Sequence, residues 1–234
     1  MHSIRKNSLM RKRIPLIAFL LLLIPMISLA HDVSGGDREL LENGGLLAYI
    51  WVGAKHMLTG YDHLLFLVGV IFFLKDFRQI VKFITAFTIG HSITLITATY
   101  LHILVNEHLI DAIIGLSVFY KGFENLGLFQ KVLRINPPHL LNMVFIFGLI
   151  HGLGLSARLQ SFTEDQEGIL PKILCFNLGV ELGQILALIP IVYAINIWRK
   201  KNSFDAFFKA TNTYLLLAGV ALAAYQVWQF LGHS

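Results

Sequence analysis

Sulfur-containing residues are scarce in this sequence. Its 234 residues include one cysteine, Cys175, and five methionines. A single cysteine cannot form a disulfide within the chain, and one thiol is too few for a thiolate metal cage. Five methionines also do not make the thioether-rich path that soft copper(I) would use. Any metal chemistry must therefore depend on nitrogen and oxygen ligands.

Charged residues are also scarce, at 14% of the sequence. The formal net charge of +5 comes from five cations near the amino terminus, because the other 14 Lys and Arg balance 14 Asp and Glu. Without a basic stripe along the rest of the chain, a nucleic-acid partner is not indicated. The five cations are Arg5, Lys6, Arg11, Lys12 and Arg13.

Long hydrophobic runs, in contrast, are abundant. Hydrophobic residues make up 56% of the chain, and several apolar runs are long enough to cross a bilayer. The first run follows the five cations and ends with the small residues Ser28 and Ala30, as a signal peptide does. We predict that residues 1–30 are a cleaved signal peptide, which leaves His31 as the mature amino terminus. An uncleaved anchor helix is the alternative.

Six further apolar runs predict an all-α integral membrane protein with six transmembrane helices. These helices form one domain over residues 60–232. Residues 31–59 are predicted to be an extracytoplasmic tail followed by an interfacial or re-entrant segment. The predicted spans are 60–77, 79–101, 109–129, 140–159, 172–198 and 210–232.

Basic residues indicate the orientation of these helices. They lie in or beside alternate loops, which the positive-inside rule assigns to the cytoplasm. We therefore predict a multi-pass protein of the bacterial inner membrane with both mature ends outside. The basic residues are Lys75, Arg78, Lys82, Lys131, Arg134, Arg199, Lys200, Lys201 and Lys209.

The segment HMLTGYDHLLFL, residues 56–67, carries polar groups at the start of an apolar run. Imidazole nitrogen and carboxylate oxygen from His56, Asp62 and His63 would suit borderline divalent ions such as nickel, cobalt or zinc. We expect Gly60 to loosen the helix so that these groups converge at the entrance of a membrane path. In the alternative interpretation, Asp62 caps the first membrane helix and His63 lies in the interface.

Two histidines and a glutamate lie deeper in the predicted spans. His91 belongs to the second span, Glu124 to the third and His151 to the fourth. Intramembrane ionisable groups usually have a function and face a cavity or one another. Structural hydrogen bonds to neighbouring Ser and Thr residues are the alternative for the histidines. For Glu124 the alternative is neutralisation by Lys121, one helical turn earlier.

The fifth span has three polar residues on one helical face. Asn177, Glu181 and Gln184 follow an i, i+4, i+7 spacing, so we expect them to face the same neighbour. The complete set of predicted metal ligands is His56, Asp62, His63, His91, Glu124, His151, Asn177 and Glu181.

Two short segments of the chain resemble each other. FTIGHSITL (87–95) and FGLIHGLGL (147–155) share Phe, His and Leu at matching places. As repeats they would run in the same direction through the membrane; chance similarity is the alternative. Glycines in the second segment, together with Gly179 and Gly183, are interpreted as close helix-packing positions.

Four blocks of this sequence resemble those of the HupE/UreJ family of membrane proteins associated with nickel supply. The blocks are HMLTGYDHLLFL, TAFTIGHSITL, GLIHGLGLS and FNLGVELGQ, and the resemblance covers about His56 to Glu181. It implies a nickel permease in which His56, Asp62 and His63 are essential. Better-known members carry a second motif with two histidines and a glutamate, whereas this chain has only His151 there. It therefore resembles a shorter, divergent branch.

We expect a permease that imports a divalent transition-metal ion. The family resemblance implies that the ion is nickel. The His and carboxylate ligands by themselves indicate only a divalent cation, and cobalt and zinc fit the same ligands. The sequence has no Walker A pattern, so the membrane potential or a coupled ion would drive transport. We expect no resident cofactor and no enzymatic activity. Membrane lipid is the expected surrounding, and a homo-oligomer is left open.

Two functions from other classes also fit some of these residues. A haem-binding electron carrier would use His91 and His151 as axial ligands, but it gives His56 and His63 no role. An intramembrane metal-dependent hydrolase would use the same His and carboxylate groups to activate water. The hydrolase lacks a recognisable catalytic signature.

Overall fold

Helices provide all the regular secondary structure in the described part of the chain. The computed structural model describes residues 35–72, 74, 76–160 and 168–232, so the predicted signal peptide lies outside it. The prediction of an all-α fold is confirmed for these residues. They form α1 (Gly35–Asn43), α2 (Gly45–Thr59), α3 (Tyr61–Ile71), α4 (Phe77–Tyr100), α5 (Glu107–Asn125), α6 (Leu140–Gln160), α7 (Ile169–Trp198) and α8 (Phe204–Gly232), with a π-helical turn at Phe129–Leu133.

Four of these helices are long and apolar enough to cross a membrane, namely α4, α6, α7 and α8. They correspond to four of the six predicted spans. α5 has 19 residues but includes four charged ones. α3 has only 11 residues, which rise about 16 Å against a hydrocarbon thickness of roughly 30 Å. The structure therefore supports a helical membrane protein, whereas the count of six spans is not confirmed.

The predicted loosening of the helix at Gly60 is confirmed, because α2 ends at Thr59 and α3 begins at Tyr61. The ψ angle of Gly60 is 99°, which is extended, and its N–H donates to the His56 carbonyl oxygen at 2.8 Å. Glycine weakens a helix interior by about 1 kcal/mol relative to alanine, which favours a break at this residue. The predicted first span, 60–77, is not one helix, because α3 ends at Ile71 and α4 begins at Phe77.

Three closely packed helix pairs build the bundle: α2 with α7, α4 with α6, and α5 with α8. In the first pair, a Cβ atom at Gly53 would collide with the Phe176 carbonyl oxygen, and one at Gly179 would collide with that of Ile50. Beyond the break, α3 packs against α5, where Asn125 Nδ2 donates to the Gly69 carbonyl oxygen at 2.8 Å. The break thus directs α3 away from α7.

The α4–α6 pair joins the two segments that resemble each other. A Cβ atom at Gly148 would collide with the Phe87 carbonyl oxygen, and one at Gly152 would collide with that of His91. Both contacts advance by four residues in the same direction, so the two helices run parallel. Thr94 Oγ1 also donates to the Leu149 carbonyl oxygen at 2.6 Å. The interpretation of these glycines as helix-packing positions is confirmed.

Arg199 ties the end of α7 to the end of α3. Its Nη2 atom donates to the carbonyl oxygens of Phe72 at 2.8 Å and Leu74 at 3.1 Å. Carbonyl groups at a helix carboxyl end have no partner within the helix, and a cation is favourable at that end of the helix dipole. The guanidinium therefore acts as a cap for the short helix α3.

Candidate functional site

Three histidines from three helices meet beside the break at Gly60; we call His56, His63 and His151 the histidine cluster. The ring centroids of His56 and His63 are 5.1 Å apart, and those of His63 and His151 are 4.6 Å apart. On a continuous helix, residues seven apart are separated by about 10 Å along the axis. The break is what brings the first two rings together.

Two members of the histidine cluster are buried in the bundle, whereas His56 is half-buried. The exposed fraction is 6% for His63 and 2% for His151. His63 also packs against Phe87, near the middle of α4, with centroids 6.4 Å apart. Burial among helices does not define depth in the membrane, so the outer entrance and the interfacial position of His63 both stay predictions. Since α3 turns towards α5 after the break, its first residues enter the core.

The hydrogen bond of His151 defines which ring nitrogen can bind a ligand. His151 Nδ1 lies 2.6 Å from the Phe147 carbonyl oxygen, and a carbonyl oxygen only accepts, so Nδ1 carries the proton. In the neutral ring, Nε2 then holds the lone pair. Histidines that bind metals are commonly oriented in this way, with the other ring N–H donated to a carbonyl oxygen.

His91 forms part of a row of polar contacts between α4 and α7. Its Nδ1 lies 3.1 Å from Asn177 Oδ1. Thr88 Oγ1 donates to Gln184 Oε1 at 3.3 Å, and Thr85 Oγ1 donates to Glu181 Oε1 at 3.4 Å. We call these three contacts the α4–α7 polar ladder. The predicted common face of Asn177, Glu181 and Gln184 is confirmed, and it faces α4.

Two amide groups of the ladder keep an unused donor. Asn177 Nδ2 and Gln184 Nε2 are buried and have no hydrogen-bond partner among the described residues. An unpaired buried amide costs about 1–3 kcal/mol, and such groups are usually satisfied by ordered water or a ligand. The ladder therefore has polar capacity that its protein contacts do not use.

Phe87 separates the histidine cluster from His91. Its ring is stacked on His91 with centroids 6.1 Å apart, and it meets His151 edge-on at 5.1 Å. A haem held between His91 and His151 would have to displace this ring. The packing therefore fits a series of separate polar positions better than one shared haem.

Glu124 lies in a different polar environment. Lys121 Nζ donates to Glu124 Oε2 at 2.7 Å, and the two side chains are 1% and 8% exposed. The neighbouring Asn125 donates to Asn212 Oδ1 of α8 at 2.6 Å. The proposed neutralisation by Lys121 is therefore seen. Glu124 as a metal ligand stays a prediction from the sequence.

Asp62 belongs to the first turn of α3, but its side chain lies outside the described residues. Within the part of the chain that the structure describes, no three His, Cys, Asp or Glu side chains are placed to hold a metal ion as they stand. Binding by the histidine cluster would therefore require a change of side-chain rotamer, a contribution from Asp62, or both.

The family model described as HupE / UreJ protein matches residues 38–233, which include the break, the histidine cluster and the polar ladder. No curated protein and no solved structure matches the chain significantly. The family is associated with metal transport and is a transporter or accessory family rather than a known enzyme family. Because the match covers most of its length, the chain belongs to the HupE/UreJ family.

Proposed function

We propose that this protein is a permease that imports a divalent transition-metal ion, and that this ion is nickel. The observation that carries the proposal is the histidine cluster, in which three imidazoles from α2, α3 and α6 meet inside the bundle beside a broken helix. Imidazole ligands suit nickel, cobalt and zinc. Two of the rings are buried, and ionisable groups inside a membrane bundle usually have a function.

The broken helix supports a cation site at this position. α2 ends at Thr59, so its last carbonyl groups and the negative end of its dipole lie beside His56. Several transporter folds coordinate cations at the ends of discontinuous helices. Asp62, two residues after Gly60, would add a carboxylate that offsets part of the charge of a divalent ion.

The polar ladder would continue the path from His91. Transport needs successive weak sites, because one very tight site would trap the ion. His91 and Asn177 form the first step, and Glu181 is the acid in the ladder. The unused amide donors of Asn177 and Gln184 would be satisfied by ordered water along the path. A membrane potential of 100 mV supplies about 4.6 kcal/mol for two charges, or roughly thousandfold accumulation.

The membrane arrangement that we propose keeps six crossings. α4, α6, α7 and α8 provide four, α5 provides the fifth, and the broken pair α2–α3 together provides the sixth. Both mature ends would lie outside the bacterial inner membrane, after a signal peptide at residues 1–30. The positive-inside rule and the burial of charged side chains in α5 support this arrangement.

Uptake of radioactive nickel by cells that express the protein tests the proposal. We expect His63→Ala and His151→Ala each to reduce uptake at least tenfold, because each removes a ligand of the histidine cluster. His139→Ala removes an exposed histidine before α6 and serves as the matched control. Normal uptake in both cluster variants would refute the proposal, as would a haem absorption band in the purified protein.

Competition experiments in the same cells identify the metal. With nitrogen and oxygen ligands, we expect nickel, cobalt or zinc to compete better than manganese or copper(I). If copper(I) competes best, the histidine cluster is not the selective site.

A further inference from the structure

A groove of about 310 Å³ lies between α4 and α7. It is on the half of the bundle where α4 begins and α7 ends, which is the predicted cytoplasmic half. Apolar side chains such as Ile80, Ile84, Ile185 and Leu188 form most of its lining. Its volume lies at the lower end of the range of about 300–1,000 Å³ that is usual for ligand pockets.

The groove opens sideways, towards the surroundings of the bundle. Its lining includes Phe77, Ile189 and Tyr193, which are 63%, 54% and 71% exposed. Because α4 and α7 are both long and apolar enough to cross a membrane, we expect these side chains to face the membrane and not bulk water. An apolar groove that opens into hydrocarbon is suited to a lipid acyl chain.

The broken helix explains why the groove is present. α2 packs against α7 as far as Gly183, and α3 then turns towards α5. The part of α7 that follows Gly183 lines the groove from Ile185 onwards. The crevice between α4 and α7 thus begins where α2 ends.

Charged residues at the polar end of the groove favour an anionic head group. Arg78 and Lys82 are exposed and directly follow the lining residues Phe77 and Val81, and Lys200 follows the lining residue Asn196 by four positions. The acid of the lining, Asp76, already caps α4 by accepting from the Gln79 N–H at 2.8 Å. Cations close to the membrane surface attract anionic lipids.

We propose that the α4–α7 groove binds one anionic phospholipid. One acyl chain occupies the apolar groove, and the phosphate lies between the cations of α4 and Lys200. The lipid joins α4 to α7 on the half of the interface that the polar ladder does not reach. This site does not depend on the identity of the transported ion.

Native mass spectrometry of the purified protein with phosphatidylglycerol or phosphatidylcholine tests the lipid site. We expect one phosphatidylglycerol molecule to be retained with at least tenfold preference, since three cations lie near its phosphate. Ile189→Trp fills the groove and should abolish this retention. Leu186→Trp is the matched control, because Leu186 is 61% exposed on the same helix but does not line the groove.

A second pair of variants separates the head-group contact from the acyl-chain contact. Arg78→Gln with Lys82→Gln should remove the preference for phosphatidylglycerol over phosphatidylcholine, whereas the same changes at Lys131 and Arg134 should preserve it. Equal retention of both lipids by the wild type would overturn the proposal. So would equal loss in the Ile189→Trp and Leu186→Trp variants, provided that both melt at the wild-type temperature.

Discussion

Lys121 and Glu124 form an ion pair within α5 that is almost completely buried. Removing one partner of such a pair leaves an uncompensated charge, whereas replacing both by apolar residues is often neutral. We expect Glu124→Leu to destabilise the protein by about 3 kcal/mol and the double variant Lys121→Met/Glu124→Leu to recover most of this loss. The measurement is thermal unfolding of the purified protein.

The half-exposed pair of Lys55 and Asp37 provides the control for this experiment. Its two charges are 2.8 Å apart, with side chains 41% and 12% exposed, and Lys55→Gln should cost less than about 1 kcal/mol. Nickel uptake by the double variant then decides the role of Glu124. Normal uptake would show that Glu124 is a structural partner of Lys121, and loss of uptake in a stable protein would make it part of the ion path.

Glu181 is the carboxylate of the polar ladder, and its negative charge would attract a cation. Glu181→Gln retains an oxygen that accepts from Thr85 but removes a charge where the low dielectric strengthens its attraction for a divalent ion. We expect uptake to stop while nickel binding to the purified protein persists at the histidine cluster. Normal uptake would make the ladder a polar packing contact between α4 and α7.

Helical spacing was sufficient to predict part of the ladder. Asn177, Glu181 and Gln184 repeat every three or four residues, and the structure places them on one face. Thr85 and Thr88 were not predicted to be the hydrogen-bond partners of this face. Their spacing of three residues from each other and from His91 could have indicated that they share a face of α4. The position of His63 could not be predicted, because it depends on the direction that α3 takes after the break.

At the scale of the helices, the α4–α6 contact depends on Gly152. A Cβ atom there would meet the His91 carbonyl oxygen, which belongs to a rigid helix backbone. We expect Gly152→Ala to destabilise the protein by about 1–3 kcal/mol and to reduce uptake. At Gly154 the nearest atom is a side-chain methyl group of Ile110, 3.0 Å from the added Cβ, which can move. Gly154→Ala should therefore be nearly neutral, and equal melting temperatures for the two variants would contradict the close contact.

Apolar length predicted α4, α6, α7 and α8 well, because each is a continuous helix. It failed at residues 60–77, because α3 ends at Ile71 and α4 begins only at Phe77. Hydropathy averages over a window and carries no information on where the backbone leaves the helical conformation. Gly60 indicated the break, but the directions of the two short helices depend on the packing of α2 on α7 and of α3 on α5.

For the whole molecule, the orientation in the membrane is the property to test. Lys131 and Arg134 flank the loop at Asn136, whereas acids surround position 165, so we predict that the first loop is cytoplasmic and the second is outside. Single cysteines at these two positions, in a Cys175→Ser background, can be labelled in intact cells with a membrane-impermeant thiol reagent. The reagent should reach position 165 and not position 136. The opposite pattern would reverse the orientation.

The bond from Arg199 to the end of α3 has a consequence for biogenesis. Arg199 is synthesised more than 120 residues after Phe72 and Leu74, whose carbonyl oxygens it binds. α2 also acquires its main packing partner, α7, only at that stage. α2 and α3 leave the ribosome early, but they cannot complete these contacts until α7 has been made. The segment that holds His56 and His63 is thus completed only when most of the chain has been inserted.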